Sequence, residues 1–398
     1  MPDRHLTRTL GELCSFNYGA SLTSQVRVEG NVAVVGSAGQ VGWHSVPLVA
    51  GPGIVIGRKG TVGHATWVHG DFWPIDTTYF VTPRNGVDLR WLFFLLDWLP
   101  LKSLDSATGV PGLNRNDAYR LTVRYFPEET ETQQLIADIL NVLDDAIVET
   151  DAFIEKLRAI HTGIVDELLS HGLTQNGKSR VPSQLGQSAI GPRPPNWKVG
   201  PLGRFVVSAE YGTNLPLGDV HGGLPVLRMN NIQDGEFDLS DLKFAPARAV
   251  ERFRLQHNDV LFNRTNSWEH VGKAAIWRRE ETGPAFASYL VRLHCGDELL
   301  PEFLHLWLNW APVQRAIRQF ATPGVQQVNI NPTNLRRTFI AVPNTLHEQR
   351  TIIERVGGVA SAIEHHRRER AKLSSLREGV RDDLLTGRVP VVAIRKAA

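Results

Sequence analysis

Two long stretches of the chain carry apolar residues at alternating steps of four and three positions. This spacing is that of the seam of a two-helix coiled coil, and at 1.5 Å per residue each helix would be about 60 Å long. Two such seams in one chain predict two long helices that pack on each other in antiparallel orientation. The seam positions are Ile136, Leu140, Leu143, Ile147, Thr150, Ile154, Leu157, His161, Ile164 and Leu168 in the first stretch, and Ile352, Val356, Val359, Ile363, His366, Arg370, Leu373, Arg377, Val380 and Leu384 in the second.

The two stretches also repeat one another at a constant offset of 216 positions, as between Gln133 and Gln349. No gap is needed from 132 to 173, as expected for a helix, in which one inserted residue rotates every later side chain by about 100°. Gly172 and Gly387 follow the last seam residues and predict the helix ends. Other identical pairs are Ile136/Ile352, Lys156/Lys372, Gly163/Gly379 and Asp166/Asp382.

Four polar side chains interrupt the seams: His161, His366, Arg370 and Arg377. We expect them to reach solvent or to form polar contacts that fix the register of the helices. A metal-binding or catalytic role for the adjacent pair at 365–366 is not favoured, because the surrounding pattern is not that of a metal site.

Each long helix follows a region of short β-branched runs interrupted by Gly, Asn and Pro, which predicts α+β domains with several antiparallel strands. The sequences of the two regions resemble each other when gaps are allowed in their alignment. The chain therefore reads as a tandem α+β repeat with pseudo-two-fold symmetry, in which two long helices separate two globular domains. The matching segments are LGEL…YG (10–19) with LGRF…YG (202–212), IVIGRKGTVGHATW (54–67) with VLFNRTNSWEHVGKAAIW (260–277), and WLFFLLDW (91–98) with FLHLWLNW (303–310).

This repeat divides the chain into six segments. The segment between the first helix and the second domain is polar and rich in Pro and Gly, which is typical of a linker. We predict a first domain at 1–127, a first long helix at 128–173, a linker at 174–195, a second domain at 196–343, a second long helix at 344–389 and a tail at 390–398.

The composition is that of a soluble globular protein, with 42% hydrophobic and 21% charged residues, and a length of 398 residues implies two or three domains. The longest apolar stretch (91–101) contains Asp97 and Pro100 and is too short to span a membrane. The amino end has no apolar signal core, so we expect a cytoplasmic location with Cys14 and Cys295 as free thiols.

Charge is distributed unevenly, although the net charge is only +2. Residues 128–173 contain 2 Lys/Arg and 11 Asp/Glu, a balance of −9, whereas residues 346–389 contain 9 and 7, a balance of +2. The rest of the chain, including the globular regions, is left net positive. An acidic helix and a mildly basic one could attract each other.

Loops in both globular regions contain side chains suited to the bases and phosphates of DNA. Arg can bind guanine through two hydrogen bonds, Asn and Gln can bind adenine in the same way, and Lys, Ser and Thr hold phosphates. The alternative for any one loop is a polar turn whose side chains satisfy one another. The candidate DNA-binding residues are Arg58, Lys59 and Thr61 in GRKGT, Asn114, Arg115 and Asn116 in GLNRND, Arg228, Asn230 and Asn231 in RMNN, Arg264, Thr265, Asn266 and Ser267 in NRTNS, and Gln326, Gln327, Asn329 and Asn331 in QQVNIN.

Two of these arginines are expected to make different contacts. Lys59 and the glycines around Arg58 suit a close approach to the DNA backbone, so we expect Arg58 to contact phosphate. Asn263 and Asn266 flank Arg264 and could read an adjacent base, so we expect Arg264 to contact a base edge, alone or together with phosphate.

The chain shows no motif for catalysis or cofactor binding. GPGIVIGRKG lacks the GxxxxGK[ST] spacing of a nucleotide-binding loop. PPNW (194–197) permutes the NPP-aromatic motif of adenine methyltransferases, and the order matters because that Asn must face the amino group. DLK (241–243) lacks the upstream partner of a nuclease metal site. We therefore expect no cofactor, no metal ion and no catalytic residues in this chain.

The repeat order and several segments resemble the specificity (S) subunit of type I restriction–modification systems, over essentially the whole chain. The shorter GRKGT of the first domain departs from NRTNS in the second, so contacts carry over between the domains only loosely. The similar segments are IVIGRKGTVG with FWPIDTTYFV, VLFNRTNSWEHVGKAAIW, PGLNRNDAY, GVQQVNINPTNL, and the helix openings ETQQ and HEQR.

The resemblance implies DNA recognition without catalysis. Each globular domain would read one half of a bipartite site in double-stranded DNA, with the helices as a ruler across a non-specific spacer. Two modification subunits, which bind S-adenosylmethionine and methylate adenine N6, would dock on this scaffold, and restriction subunits are further expected partners, whereas a membrane is not. The residues alone leave open a self-contained DNA methyltransferase or nuclease, and a coiled-coil scaffold without a DNA role.

Overall fold

The computed structural model describes residues 7–104, 112–219, 221–324 and 327–391. The chain divides into two compact units, each of which contains one globular region and a part of each long helix. Unit 1 comprises Met1–Phe153 with His366–Ala398, and unit 2 comprises Ile154–His365.

The first globular region consists of short strands and short helices and leads into the first long helix. In chain order the elements are β1 (Arg8–Thr9), α1 (Leu10–Leu13), β2 (Cys14–Tyr18), β3 (Val32–Gly36), β4 (Gly39–His44), β5 (Gly53–Gly57), β6 (Ala65–Val68), β7 (Phe72–Pro74), β8 (Thr78–Pro83), α2 (Leu89–Trp98), α3 (Arg115–Tyr119), β9 (Thr122–Val123) and the long helix α4 (Thr130–His171).

The second globular region has the same kind of composition and leads into the second long helix. Its elements are β10 (Lys198–Pro201), β11 (Val206–Tyr211), β12 (Leu224–Leu227), β13 (Ile232–Gln233), β14 (Glu236–Phe237), β15 (Lys243–Ala245), α5 (Ala247–Val250), β16 (Val260–Asn263), β17 (Thr265–Asn266), β18 (Ala274–Ile276), β19 (Ala285–Phe286), β20 (Leu290–Cys295), α6 (Pro301–Asn309), α7 (Ala311–Arg318), β21 (Thr322–Pro323), β22 (Val328–Asn329), α8 (Pro332–Leu335), β23 (Phe339–Val342) and the long helix α9 (Leu346–Thr386).

A four-stranded antiparallel sheet in the order β2-β8-β5-β6 forms the centre of unit 1. Strand β5, with the sequence GIVIG, is buried along its whole length, as a short continuous apolar run predicts. Helix α2 begins at the N-cap Asp88, whose side chain accepts a hydrogen bond from the Trp91 backbone N at 2.8 Å. The core packs Ile56 of β5 and Trp91 of α2 together with Leu140 and Leu384 of the long helices.

Unit 2 contains the corresponding sheets. Its four-stranded antiparallel sheet has the order β11-β20-β16-β18. A three-stranded sheet in each unit combines one antiparallel and one parallel pair, in the order β4-β3-β7 in unit 1 and β15-β12-β19 in unit 2. The α+β repeat predicted from the matching segments is therefore confirmed.

The long helices pair in antiparallel orientation. In unit 1, Asp144 of α4 bonds to Arg377 of α9 at 2.8 Å, and Asp151 bonds to Arg370 at 3.2 Å. Seven positions forward along α4 thus correspond to seven positions backward along α9. The seam residues predicted for both helices are buried or half-buried, except the exposed Arg370. These ion pairs are the polar contacts that were expected to fix the register.

The repeated helix endings have a structural cause within each unit. The backbone φ angles of Gly172 and Gly387, +58° and +71°, are in the left-handed region that ends helices, as predicted. In unit 1 the Trp98 indole Nε1, at the end of α2, donates to the Asp382 Oδ1 of α9 at 2.8 Å. In unit 2 Trp310, which follows α6, donates to Asp166 of α4 in the same way.

The repeated glutamine near the start of each helix also has one role in both units. The buried Gln133 amide accepts from the Asp88 backbone N at 2.7 Å and donates to the carbonyls of Gly86 and Pro127. In unit 2 the buried Gln349 accepts from Leu300 N at 2.9 Å and donates to the carbonyls of Glu298 and Pro343. Each glutamine therefore fastens its long helix to the start of a short helix.

Candidate nucleic-acid interface

In unit 1, Arg58 directly follows the buried strand β5. Its backbone N donates to the Thr77 carbonyl at 2.9 Å, and its guanidinium Nη2 donates to the Asp76 carbonyl at 2.7 Å. The guanidinium carbon lies 5.3 Å from the ring centroid of Tyr18, within the range of a cation–π interaction. Backbone and side chain of Arg58 are thus both held at the end of the central sheet.

Two of the sequence-predicted loops come together beside Arg58. The backbone N of Leu113 donates to the Arg58 carbonyl at 2.9 Å, and the Tyr79 hydroxyl donates to the Leu113 carbonyl at 3.1 Å. Burial, together with a hydrogen bond to Tyr18, raises the pKa of Tyr79 from its ordinary value of 10.0 to about 12. The phenol is therefore a hydrogen-bond donor over an even wider pH range than usual. The segment that carries Asn114 and Arg115 is therefore tied to the GRKGT loop.

These loops line a cavity of about 390 Å³. Its lining includes three cations, Arg58, Lys59 and Arg115, and no carboxylate among the described residues. The guanidinium carbon of Arg115 also lies near Tyr18, 5.1 Å from the ring centroid. Three cations in the lining of one cavity favour an anionic ligand. The lining residues are Tyr18, Arg58, Lys59, Tyr79, Gly112, Leu113, Asn114, Arg115 and Asn116.

The remaining unit 1 candidates have local roles. The Asn114 side chain accepts a hydrogen bond from the Asn116 backbone N at 2.9 Å and caps helix α3, so its oxygen is already bonded. Thr61 is exposed in the turn between β5 and β6 and is not among the residues that line the cavity.

In unit 2, Arg264 occupies the position that corresponds to Arg58. Its backbone N donates to the Tyr289 carbonyl at 3.0 Å, and its guanidinium lies 5.2 Å from the ring centroid of Tyr211. The Nη2 of Arg264 donates to the Asn329 Oδ1 at 2.9 Å, and the Asn329 Nδ2 donates to the Thr265 Oγ1 at 3.0 Å. Arg264, Asn329 and Thr265 therefore form one hydrogen-bonded chain across strands β17 and β22.

A second group of polar side chains converges on Met229. The side-chain amide of Asn266 donates to the Met229 carbonyl at 3.2 Å, and that of Asn263 donates to the same oxygen at 2.9 Å. The Gln327 amide lies 3.7 Å from the Met229 sulfur. The loops NRTNS, RMNN and QQVNIN are thus brought together on one side of unit 2, with Ser267 half-buried beside Asn266.

Four of the remaining candidates are held within the RMNN turn or at a helix cap. Asn231 is only 1% exposed, and its amide bonds to the backbone of Arg228, Asp238 and Asp241, so it holds the turn. Arg228 forms an ion pair with Asp241 at 2.7 Å, and the exposed Asn230 reaches the same carboxylate at 3.5 Å. Asn331 caps α8 by accepting from the Thr333 N. Gln326 lies outside the described residues.

The two arginine sites share one backbone framework. Beside Arg58 the acceptor carbonyl of Asp76 corresponds to that of Ser288, which accepts from the Arg264 Nη1 at 3.4 Å. The hydrogen bond from Leu113 N to the Arg58 carbonyl corresponds to that from Ile330 N to the Arg264 carbonyl at 2.8 Å. Asn114 and Asn331 then cap the following helices in both units.

Reasoning from the sequence missed the two tyrosines at these sites. Tyr18 and Tyr211 each end the first strand of a four-stranded sheet, β2 or β11. The available signal was the repeated Tyr-Gly pair in the segments LGEL…YG and LGRF…YG. The pattern alone did not connect these aromatic rings with arginines 40 or more positions away.

Two features, a metal-binding cluster and a membrane-spanning helix, are absent from the described part of the chain. Among these residues, no group of three or more His, Cys, Asp or Glu side chains is placed to hold a metal ion. No helix within the same ranges combines the length and the apolar character needed to cross a membrane.

Comparison with known proteins gives related sequences and related folds. No family model matches the chain. The chain is 24% identical over 204 residues to the putative type I restriction enzyme MjaX specificity subunit of Methanocaldococcus jannaschii, a match that covers 50% of this chain and 48% of that protein. It is 24% identical over 236 residues to the type I restriction enzyme EcoBI specificity subunit of Escherichia coli, with coverage of 56% and 48%. These matches span about half the length of the curated relatives.

Two solved structures share the fold over nearly the whole chain. The S subunit of a type I restriction–modification system from M. genitalium has a TM-score of 0.61 and 14% identity, with 95% of both chains covered. A chain from a structural study of complex assembly and conformational transition in the type I R-M system has a TM-score of 0.56 and 16% identity, with 96% of this chain and 98% of that chain covered. The chain thus resembles type I specificity subunits in sequence and in fold, which confirms the resemblance indicated by its motifs.

Proposed function

We propose that this chain is the DNA sequence-specificity subunit of a type I restriction–modification complex, and that each globular region reads one half of a bipartite site. The observation that carries the proposal is the repeated arginine framework. Arg58 and Arg264 follow equivalent central strands, bond to equivalent backbone carbonyls and pack beside equivalent tyrosines. A duplicated reading site is what a protein that recognises two separate DNA segments requires.

The two sites are suited to different parts of DNA. In unit 1, Arg58, Lys59 and Arg115 line a cavity whose described residues include no carboxylate, and this favours a backbone phosphate. In unit 2, Asn329 and Thr265 hold the Arg264 guanidinium in one orientation, which suits hydrogen bonds to a base edge. We therefore assign Arg58 to phosphate contact and Arg264 to base reading.

Catalysis is assigned to partner subunits. The relatives are named specificity subunits, and we propose the same role for this chain. Its partners would be two modification subunits and, in addition, restriction subunits. The long helices would set the length of the DNA spacer and offer docking surfaces. The six segments, from the first domain at 1–127 to the tail at 390–398, remain predictions. A cytoplasmic location stays a prediction. A self-contained methyltransferase or nuclease has no support from the named relatives.

The proposal is tested with the full chain purified alone and together with the modification subunits of its host. We expect methyl transfer to DNA and retention of a specific bipartite sequence only in the combined sample. Methylated adenines mapped across the host genome should show the same bipartite sequence. Methyl transfer or DNA cleavage by the chain alone would contradict the proposal, as would a combined sample that prefers no sequence.

A second experiment tests the assignment of one half-site to each globular region. Residues 1–127 are exchanged for the first domain of another specificity subunit, and the methylated sequence is mapped again. We expect only one half of the site to change, because each unit has its own core and its own arginine framework. A change in both halves would show that the regions do not read DNA independently.

A further inference from the structure

We infer that Tyr18 and Tyr211 are positioning residues for DNA binding, each of which holds the guanidinium of the nearby arginine, Arg58 or Arg264, in a fixed orientation. The inference rests on the proposed function and deepens it, because it names how the phosphate-binding Arg58 and the base-reading Arg264 are oriented before DNA arrives. These tyrosines would act through Arg58 and Arg264 rather than through contacts of their own.

The strand registers place each tyrosine and its arginine on one side of the central sheet. In unit 1, Tyr18 is opposite Tyr79, and Tyr79 is opposite Ile56, two positions before Arg58. In unit 2, Tyr211 is opposite Val291, and Val291 is opposite Phe262, two positions before Arg264. Because side chains two positions apart along a strand share a face, both pairs meet across the middle strand in the same way.

The distances support a direct restraint in both units. The guanidinium carbons of Arg58 and Arg264 lie 5.3 Å and 5.2 Å from the ring centroids of Tyr18 and Tyr211. Each guanidinium also donates to a backbone carbonyl, that of Asp76 or of Ser288. An aromatic face and a carbonyl together limit the rotamers of a long flexible side chain, so less conformational entropy is lost when DNA binds.

The exposure of the two rings argues against a purely structural role. Tyr18 and Tyr211 are 53% and 45% exposed, so neither ring is part of an apolar core. The strand nevertheless has little freedom at this point, because a Cβ atom on the following Gly19 or Gly212 would come within 2.2 Å of a backbone carbonyl oxygen. Close backbone packing therefore fixes the position of a largely exposed aromatic ring.

The test uses the full chain assembled with its modification subunits. Wild type is first equilibrated with a randomised duplex DNA pool, and the enriched sequence then provides a matched duplex for titration. We expect Tyr211→Leu to weaken binding to this duplex about fivefold and to relax selectivity in one half-site only. Tyr18→Leu should weaken binding to all sequences alike, because Arg58 is assigned to a backbone phosphate, which carries no sequence information. Tyr211→Phe and Tyr18→Phe keep an aromatic face and should bind within about twofold of wild type.

Matched controls come from exposed aromatic residues elsewhere in each unit. Trp43, on strand β4 of unit 1, is 54% exposed, and Phe339, on strand β23 of unit 2, is 39% exposed. Trp43→Leu and Phe339→Leu should leave both affinity and selectivity unchanged. The melting temperatures of the Tyr18 and Tyr211 variants should stay close to that of wild type.

A double-mutant cycle separates positioning from direct contact. In an Arg264→Ala background, Tyr211→Leu should cause no further loss of affinity, because the tyrosine would act only through the arginine. Additive losses would show that Tyr211 contacts DNA itself and would overturn the inference. A Tyr211→Leu variant that unfolds would overturn it as well, since the ring would then belong to the core.

Two outcomes distinguish a failure of the proposed function from a failure of the positioning role of the tyrosines. A wild-type assembly that enriches no bipartite sequence would overturn the proposed function, and this inference with it. A wild-type assembly that enriches such a sequence, with Leu variants that bind and discriminate as wild type does, would overturn the inference alone.

Discussion

The arginine sites of the two units share a backbone and differ in their side chains. Around Arg58 the cavity lining includes two further cations, Lys59 and Arg115, beside neutral polar side chains. Around Arg264 the neighbouring polar groups include Asn329 and Thr265, which are neutral and hydrogen-bonded to each other. The same strand ends, carbonyl acceptors and tyrosine ring therefore support two chemically different surfaces. Under the proposed function, a common framework with different loops would allow one fold to read different half-sites.

The contacts that fasten the helices differ much less between the units than the candidate DNA-binding loops do. Gln133 and Gln349 make the same three kinds of hydrogen bond, and Trp98 and Trp310 donate to equivalent aspartates. A buried amide or indole needs a partner, so any change there leaves a polar group unsatisfied. Exposed loop residues carry no such requirement. Four measurements test how far the two units are equivalent.

The largest effect is expected at the buried glutamines. Gln133→Ala and Gln349→Ala should each lower the free energy of unfolding by about 2–4 kcal/mol, because each change leaves buried backbone groups without partners. Urea unfolding of both variants measures the loss. Gln134→Ala is the matched control, since this neighbouring side chain is exposed. Strongly unequal losses at 133 and 349 would contradict the equivalence of the two frameworks.

The second effect concerns His305 of unit 2, a buried histidine for which unit 1 has no counterpart at the aligned position. Burial lowers the pKa of His305 to about 4, whereas the aligned position in unit 1 is Phe93. As the pH falls from about 6.5 toward 4, unfolded chains gain a proton at this site that the folded protein does not bind, so the folded state loses about 2–3 kcal/mol.

The pH experiment compares wild type with His305→Phe by urea unfolding at several pH values between 7 and 4. The stability difference between the two proteins should shift in favour of the variant as the pH falls. A constant stability difference over this pH range would show that folding does not lower the pKa of His305. The hydrogen bond at 2.8 Å between the His305 Nε2 and the Gly235 carbonyl is lost in the variant at every pH.

The third prediction contrasts the two candidate DNA-binding arginines, Arg58 and Arg264. Arg264→Ala should cost about 1–3 kcal/mol of binding free energy and relax one position of one half-site, whereas Arg58→Ala should weaken all sequences and reduce the salt slope by about one. Titrations of the assembled complex at two or more salt concentrations measure both quantities. Arg120→Ala, at an arginine with 80% of its side chain exposed, is the control. Wild-type affinity in both variants would remove these loops from the DNA interface.

The smallest effect compares two ion pairs within the helix pair of unit 1. The Arg377 side chain is 15% exposed and bonds to Asp144, whereas the Arg370 side chain is 44% exposed and bonds to Asp151. Arg377→Ala should lower the unfolding free energy by about 1–2 kcal/mol, and Arg370→Ala by less than about 0.5 kcal/mol, because solvent screens exposed pairs. Equal losses in thermal or urea unfolding would show that the exposure of an ion pair does not decide how much it contributes to the free energy of unfolding.

Most of the architecture could be predicted from the sequence because it depends on local patterns. The steps of four and three in the helix seams follow from helix geometry, and Gly172 and Gly387 end helices because they tolerate a left-handed backbone. The duplication was visible at a constant offset, which also pointed to the resemblance with specificity subunits. The roles of the candidate DNA-binding residues remain predictions, since each depends on a DNA contact.

The tertiary structure alone decided which side chains meet. Tyr18 and Arg58 are 40 positions apart and come together only because β8 lies between β2 and β5 in the sheet. Asn231 looked like a reading residue in RMNN, yet folding buries it at 1% exposure. Periodicity reports which face of an element is apolar, but pairing between distant strands sets the neighbours of each polar group. Local patterns along the chain therefore predict the repeat and its helices, whereas the packing of the sheets sets the surroundings of each arginine.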